Sequence, residues 1–163
     1  MLSLITYLFF FSSFVFSGSQ AETCSATNPK NNYYLGDTQV TWANAIVSCQ
    51  AVGMSLVSIQ NQPKQDEVTK FLQSTRINYT GIENAIWTAG NRLQDEVHWR
   101  WLRQEPVVYT NWLNGEPNNA TGDEKCLSVV FYGNTGWNDI ACNRTYHPLC
   151  EKQICCSSCK SCS

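Results

Sequence analysis

Apolar residues recur along this chain with two different periods, and the change of period divides it. Trp42, Ala45, Ile46 and Cys49 stand at i, i+3, i+4 and i+7, the spacing of a helix with one buried face. Thr41 predicts its N-cap and Gly53 its stop. Asn61 and Pro63 open a second helix, whose apolar stripe is Val68, Phe71 and Leu72. Residues 32–35 and 56–59 read as short strands. From Ile82 onward the pattern turns to short runs separated by polar loops, with strands expected over residues 85–88, 97–102, 125–131 and 146–151. Residues 115–122 form a loop dense in Asn, Pro, Gly and acid, and Trp137-Asn138-Asp139 reads as a turn. The order is that of an α+β domain without internal repeats.

The first stretch stands apart. Residues 1–16 contain no charged side chain and are followed by small and polar residues up to Ala21. That is the layout of a secretory signal peptide over residues 1–21, cleaved after Ala21, with cleavage after Ser19 as the alternative. The apolar run is shorter than the roughly 20 residues that cross a bilayer, so no membrane insertion is expected. The expected product is secreted and extracellular, with one domain over residues 22–153. Residues 154–163, ICCSSCKSCS, are too small and polar to bury a core and read as a cysteine-rich tail.

Charge removes further classes. The net charge is −2 and no basic run occurs, which argues against nucleic acid and anionic membrane as partners. Asn78, Asn119 and Asn143 each begin an N-glycosylation acceptor, in keeping with the secretory route.

Nine cysteines behind a signal peptide imply disulfides, and the odd count leaves at least one thiol unpaired within the chain. Spacing alone does not decide the connectivity. A Cys126–Cys142 link would pin the acidic loop to the Trp137 segment, and a Cys49–Cys150 link would join the two ends of the domain. The remainder, Cys24, Cys155, Cys156, Cys159 and Cys162, points to a disulfide-linked homo-oligomer through Cys24 and the tail cysteines. A thiolate metal site at Cys156, Cys159 and Cys162 has suitable spacing but does not suit an oxidising compartment.

The stretch with the most chemistry is GEPNNATGDEKC, which ends at Cys126, together with Trp137-Asn138-Asp139 and Cys142. Its donors are carboxylate and amide oxygens, without His or thiolate. Such a set suits a hard cation, and its flexible arrangement favours calcium over magnesium. A cis peptide at Pro117 would bring the side chains of Glu116 and Asn118 to one ion.

From about Tyr33 to Lys152 the sequence resembles the C-type lectin domain. The resemblance lies in Thr41-Trp42-x-x-Ala45-x-x-x-Cys49, Trp99-Arg100-Trp101, Thr110-Asn111-Trp112, Gly115-Glu116-Pro117-Asn118, Cys126, Trp137-Asn138-Asp139, Cys142 and Cys150, in that order. It implies two helices with two small antiparallel sheets and a long calcium-binding loop. It implies disulfides Cys49–Cys150 and Cys126–Cys142. It also implies one Ca2+ held by Glu116, Asn118, Glu124, Asn138 and Asp139, with Asp139 giving both its side chain and its carbonyl. The same five residues would meet a sugar. In this family Glu-Pro-Asn goes with mannose-type glycans and Gln-Pro-Asp with galactose. A second calcium site of many members would involve positions 92, 96, 119 and 125. Here Arg92, Asn119 and Lys125 argue against it, with Lys125 taking over some of the lost ionic charge.

Other readings are weaker. The tryptophans suit core packing better than a sugar-stacking platform. His98 and His147 are isolated, and Ser55, Ser58 and Ser128 lack a nucleophile-elbow context, so no enzyme is expected. The expected function is calcium-dependent binding of mannose-type glycans on microbial or cell surfaces in innate defence. The alternative is a structural, ice- or biomineral-binding member of the same fold.

Overall fold

The computed structural model describes residues 32–153. The expected signal peptide, Cys24 and the expected tail with its cysteines lie outside the described residues. Nine elements follow in order: β1 (Tyr33–Leu35), α1 (Trp42–Ala51), β2 (Ser55–Leu56), α2 (Gln62–Ser74), a 3-10 turn (Ile82–Asn84), β3 (Ile86–Asn91), β4 (Cys126–Phe131), β5 (Thr135–Ile140) and β6 (His147–Glu151).

Both helices start where their caps predict. Asn61 accepts a 2.9 Å hydrogen bond from the Lys64 N–H, and Pro63 lies in the first turn of α2. Thr41 holds the N-cap position of α1 with extended backbone, but its side chain makes no capping bond. Gly53, at φ +69°, turns the chain out of α1 while its N–H and that of Met54 close onto Gln50 and Cys49. Trp42, Ala45, Cys49, Val68 and Leu72 are buried from the two helices.

The strands form two antiparallel groups joined by one parallel contact. β1 and β2 pair with β6, and β4 pairs with β3 and β5. β3 then runs parallel to β6 through Ile86–His147 and Trp87–Pro148, which makes one connected sheet in the order β1-β6-β3-β4-β5. The disulfides are Cys49–Cys150 and Cys126–Cys142. Their sequence separations are 101 and 16, for which chain entropy gives about 4.7 and about 3 kcal/mol.

Two expectations about strands fail, for opposite reasons. Residues 97–102 are not a strand, and Arg100 makes only isolated bridges to Asn91 and Pro106. Asp95 accepts the N–H groups of Val97 and His98, and Glu96 and Gln104 have positive φ, so a local turn takes the donors a ladder would use. Trp137-Asn138-Asp139 is not a turn but the middle of β5, in register with β4 from Cys126–Ile140 to Phe131–Thr135. Asn and Asp are poor strand formers by themselves. Here tertiary pairing overrides that preference, and both residues are buried.

The core explains why β5 is held so firmly. Trp87, Trp101 and Trp137 are almost fully buried and Trp42 is buried, whereas Trp99 and Trp112 are only partly covered. Three of these indole N–H groups find an acceptor: Trp42 on the Thr88 carbonyl, Trp87 on the Val40 carbonyl and Trp137 on Gln65, all at 2.8 Å. Trp137 also meets Trp101, Tyr109 and Trp112 edge-on at 5.6 to 5.8 Å. The residues following Trp137 therefore project from a fixed base.

Candidate functional site

The loop that reaches β5 is tied to it by backbone bonds. Trp137 N–H donates to the Asn111 carbonyl, and Leu113 N–H donates to the Trp137 carbonyl. Gly115, at φ +88°, then turns the chain, and the Glu116–Pro117 peptide is cis. This route delivers Glu116 and Asn118 to Asn138 and Asp139. Glu124 arrives from the other end of the loop, just before the disulfide-anchored Cys126.

All five predicted site residues fall in one hydrogen-bonded network. Asn118 Nδ2 donates to Glu116 Oε1 at 2.9 Å. Asp139 Oδ1 and Oδ2 accept the N–H groups of Asn118 and Asn119, each at 3.0 Å. Ala120 N–H donates to Glu124 Oε2 at 2.7 Å and to Asn118 Oδ1 at 2.8 Å. Asn138 Nδ2 donates to the Asp139 carbonyl at 2.6 Å. Ser128, beneath them on β4, donates its hydroxyl to the Asn138 carbonyl. The acidic oxygens are thus turned mostly onto loop N–H groups. As they stand, no three His, Cys, Asp or Glu side chains among the described residues converge with metal-ligand spacing.

One oxygen breaks the pattern. Glu116 Oε2 is shielded from solvent and has no hydrogen-bond partner. Burial raises the Glu116 carboxyl from its ordinary 4.5 to about 7, and the carboxylates of Asp139 and Glu124 nearby add to the rise. A cation would relieve that charge, and its ligands here would be hard oxygens. The residues present therefore fit a calcium-type ion.

The nearby charges are handled differently. Lys125 Nζ lies 2.7 Å from Glu96 and 3.0 Å from Asp123, and those bonds raise its ammonium above the usual lysine value. Arg92 donates to the Glu124 carbonyl at 2.9 Å through Nη2, which also lies 3.4 Å from Asp139 Oδ2.

The family model of the lectin C-type domain matches residues 38–152. The chain belongs to that family. It is a carbohydrate-binding, non-enzymatic family. C-type lectin domain family 4 member M of Symphalangus syndactylus is 33% identical over 129 residues, which is 77% of this chain and 28% of that protein. The CD209 antigen of Papio hamadryas is 37% identical over 125 residues, 75% of this chain and 32% of that protein. The chain thus spans under a third of the length of these relatives. The C-type carbohydrate-recognition domain of cow CD23, solved in the presence of GlcNAc2Man3 oligosaccharide, superposes with a TM-score of 0.63. It is 30% identical and covers 76% of this chain and 88% of that one.

Against that family background, sequence reasoning missed three contributors. Arg92, which the sequence marks only as a departure from a second ion site, touches Glu124 and Asp139 directly. Nothing in its surroundings along the chain signals this. The N–H groups of Asn119 and Ala120 hold the carboxylates through backbone geometry, which residue type does not reveal. Asn119 also accepts the Glu124 N–H on Oδ1, so this glycosylation acceptor is part of the loop's own bonding. The three acceptor residues Asn78, Asn119 and Asn143 are all exposed. His98 is not isolated, since its Nδ1 lies 2.9 Å from Asp95, but the pair is exposed and serves the turn at Val97.

Proposed function

We propose that this chain is a secreted, calcium-dependent carbohydrate-binding protein of mannose-type specificity, with one ion held by Glu116, Asn118, Glu124, Asn138 and Asp139. The observation that carries this reading is the unpartnered, buried oxygen of Glu116 inside a network that already contains the other four residues. Calcium, when bound, supplies coordination positions that two neighbouring sugar hydroxyls can take in place of water. Glu116 and Glu124 would accept hydrogen bonds from those hydroxyls, and the amides of Asn118 and Asn138 would donate to their oxygens. Asp139 and the indole of Trp137 beneath it keep the far wall fixed. Accepting an ion means that Glu124 and Asp139 exchange some contacts with loop N–H groups for it.

The Glu116-Pro117-Asn118 order supports mannose-type over galactose-type glycans, as does the mannose-containing oligosaccharide of the cow CD23 domain. One ion rather than two is supported by Lys125 and Arg92, which already answer the acids beside the loop. The physiological reading is recognition of microbial or cell-surface glycans in innate defence, without catalysis. Residues 1–21 would be removed as a signal peptide, residues 22–153 would form the domain, and Cys24 with the tail cysteines would link copies. Linked copies would raise the avidity of a shallow site. The glycan acceptors would be Asn78 and Asn143, with Asn119 used less because its side chain bonds within the loop.

Chromatography tests the reading. The protein is expected to stay on a mannose column in calcium, to elute with chelator, and to pass through a galactose column. Retention indifferent to chelator, or retention on galactose alone, would refute it.

A further inference from the structure

A cleft of about 280 Å³ opens beside the proposed ion site and shares two of its residues, Glu116 and Asn138. Most of its other lining is apolar, with Ile82 from the 3-10 turn, Leu113 from the loop, Val130 from β4 and Tyr132 from the β4–β5 hairpin, beside the amides of Asn114 and Asn134. Val130 is buried at its floor, but Ile82 is 40% and Tyr132 72% exposed. A single exposed apolar side chain needs no explanation. Two of them flanking one cleft, with the polar ligand cluster as another wall, form the arrangement of a binding site with a few converging polar groups.

The cleft is built rather than incidental. Gly81 N–H donates to the Phe131 carbonyl at 2.9 Å and Phe131 N–H to the Tyr79 carbonyl at 3.0 Å, which laces the segment bearing Ile82 to β4. Gly133, at φ +79°, and the Tyr132–Asn134 backbone bond close the turn that carries Tyr132. Leu113 lies against bare backbone, since a Cβ on Gly136 would come within 2.5 Å of its Cδ2. Walls held this way lose little freedom when a ligand arrives.

The volume is at the small end for ligand sites, enough for one ring or a short chain. A second sugar's hydroxyls would find partners only on Asn114, Asn134 and the Tyr132 phenol, and would lie unpaired against Ile82, Leu113 and Val130. The geometry points to a glycoside with an apolar aglycone as the ligand, its sugar on the Glu116–Asn138 side and an aryl or short alkyl group in the cleft. This assignment rests on the sugar-binding reading above and narrows its ligand class.

Competition for an immobilised mannose polymer in calcium tests it, using methyl α-mannoside, phenyl α-mannoside and phenyl β-galactoside. For the unaltered protein the phenyl mannoside should compete about tenfold better than the methyl one. Tyr132→Ser, and separately Ile82→Ser, should bring that ratio toward one while leaving the methyl mannoside unchanged. The ratio in the unaltered protein stands even where a variant fails to fold. Equal potency of the two mannosides, or a ratio that survives both substitutions, overturns the aglycone assignment and leaves sugar binding intact. Phenyl galactoside competing as well as phenyl mannoside overturns it too, as indiscriminate adhesion. Dimerisation abolished by Tyr132→Ser in sedimentation would assign the cleft to a second copy and overturn it as well. If methyl α-mannoside does not compete at all, the sugar-binding reading fails and takes this one with it.

Discussion

Lys125 places its ammonium 2.7 Å from Glu96 and 3.0 Å from Asp123, whereas Glu116, near the other end of the same loop, keeps a buried carboxylate oxygen with no partner. Both regions are acid-rich and both border the disulfide-anchored strand pair β4–β5. One is closed by the protein's own cations. The other answers its carboxylates with backbone N–H groups and leaves one of them raised to about 7. The difference teaches where an added ion would do something: it is redundant where a lysine already sits and stabilising where a proton is otherwise retained.

The largest expected effect is that of calcium itself. At a free concentration a hundredfold above the dissociation constant, one ion should add about 2.7 kcal/mol of stability. Thermal unfolding with calcium and with chelator measures this, and Glu116→Gln should abolish the difference. Next is Arg92→Met, which removes the donors to the Glu124 carbonyl and the cation beside buried Asp139. A loss of about 1–3 kcal/mol is expected in chelator, read from the urea midpoint. A shift no larger than that of a surface substitution would mean that Arg92 does not close its side of the comparison.

A smaller effect concerns pH, and its sign is opposite with and without the ion. The raised carboxyl of Glu116 contributes stability to the ion-free fold below about 4.5, and that contribution is lost as pH rises through about 7. The chelated protein should therefore lose more melting temperature between pH 5 and 8 than Glu116→Gln does. Calcium requires the carboxylate, so its apparent affinity should fall by about tenfold per unit as pH drops below about 7. The smallest effect is that of Lys125→Met, an exposed pair whose loss should leave the calcium midpoint nearly unchanged in physiological salt.

Much of this was legible in the chain. The helices were readable because spacing, an Asn61 cap and Gly53 are local signals, and the loop was readable because oxygen donors concentrate there. Strand β5 was not, because Asn138 and Asp139 read as turn residues until β4 pairs with them. The supposed strand at residues 97–102 was misread because Asp95 takes its N–H groups through a side chain. Arg92 and the Ile82–Tyr132 cleft escaped for a third reason. Each joins residues far apart in sequence, and only the packed sheet brings them together.

Calorimetric titration of the chelator-stripped protein with calcium at pH 8 tests the central claim most directly. One ion per chain is expected, with no measurable binding after Glu116→Gln. Two ions per chain, or binding that Glu116→Gln leaves unchanged, would contradict the account.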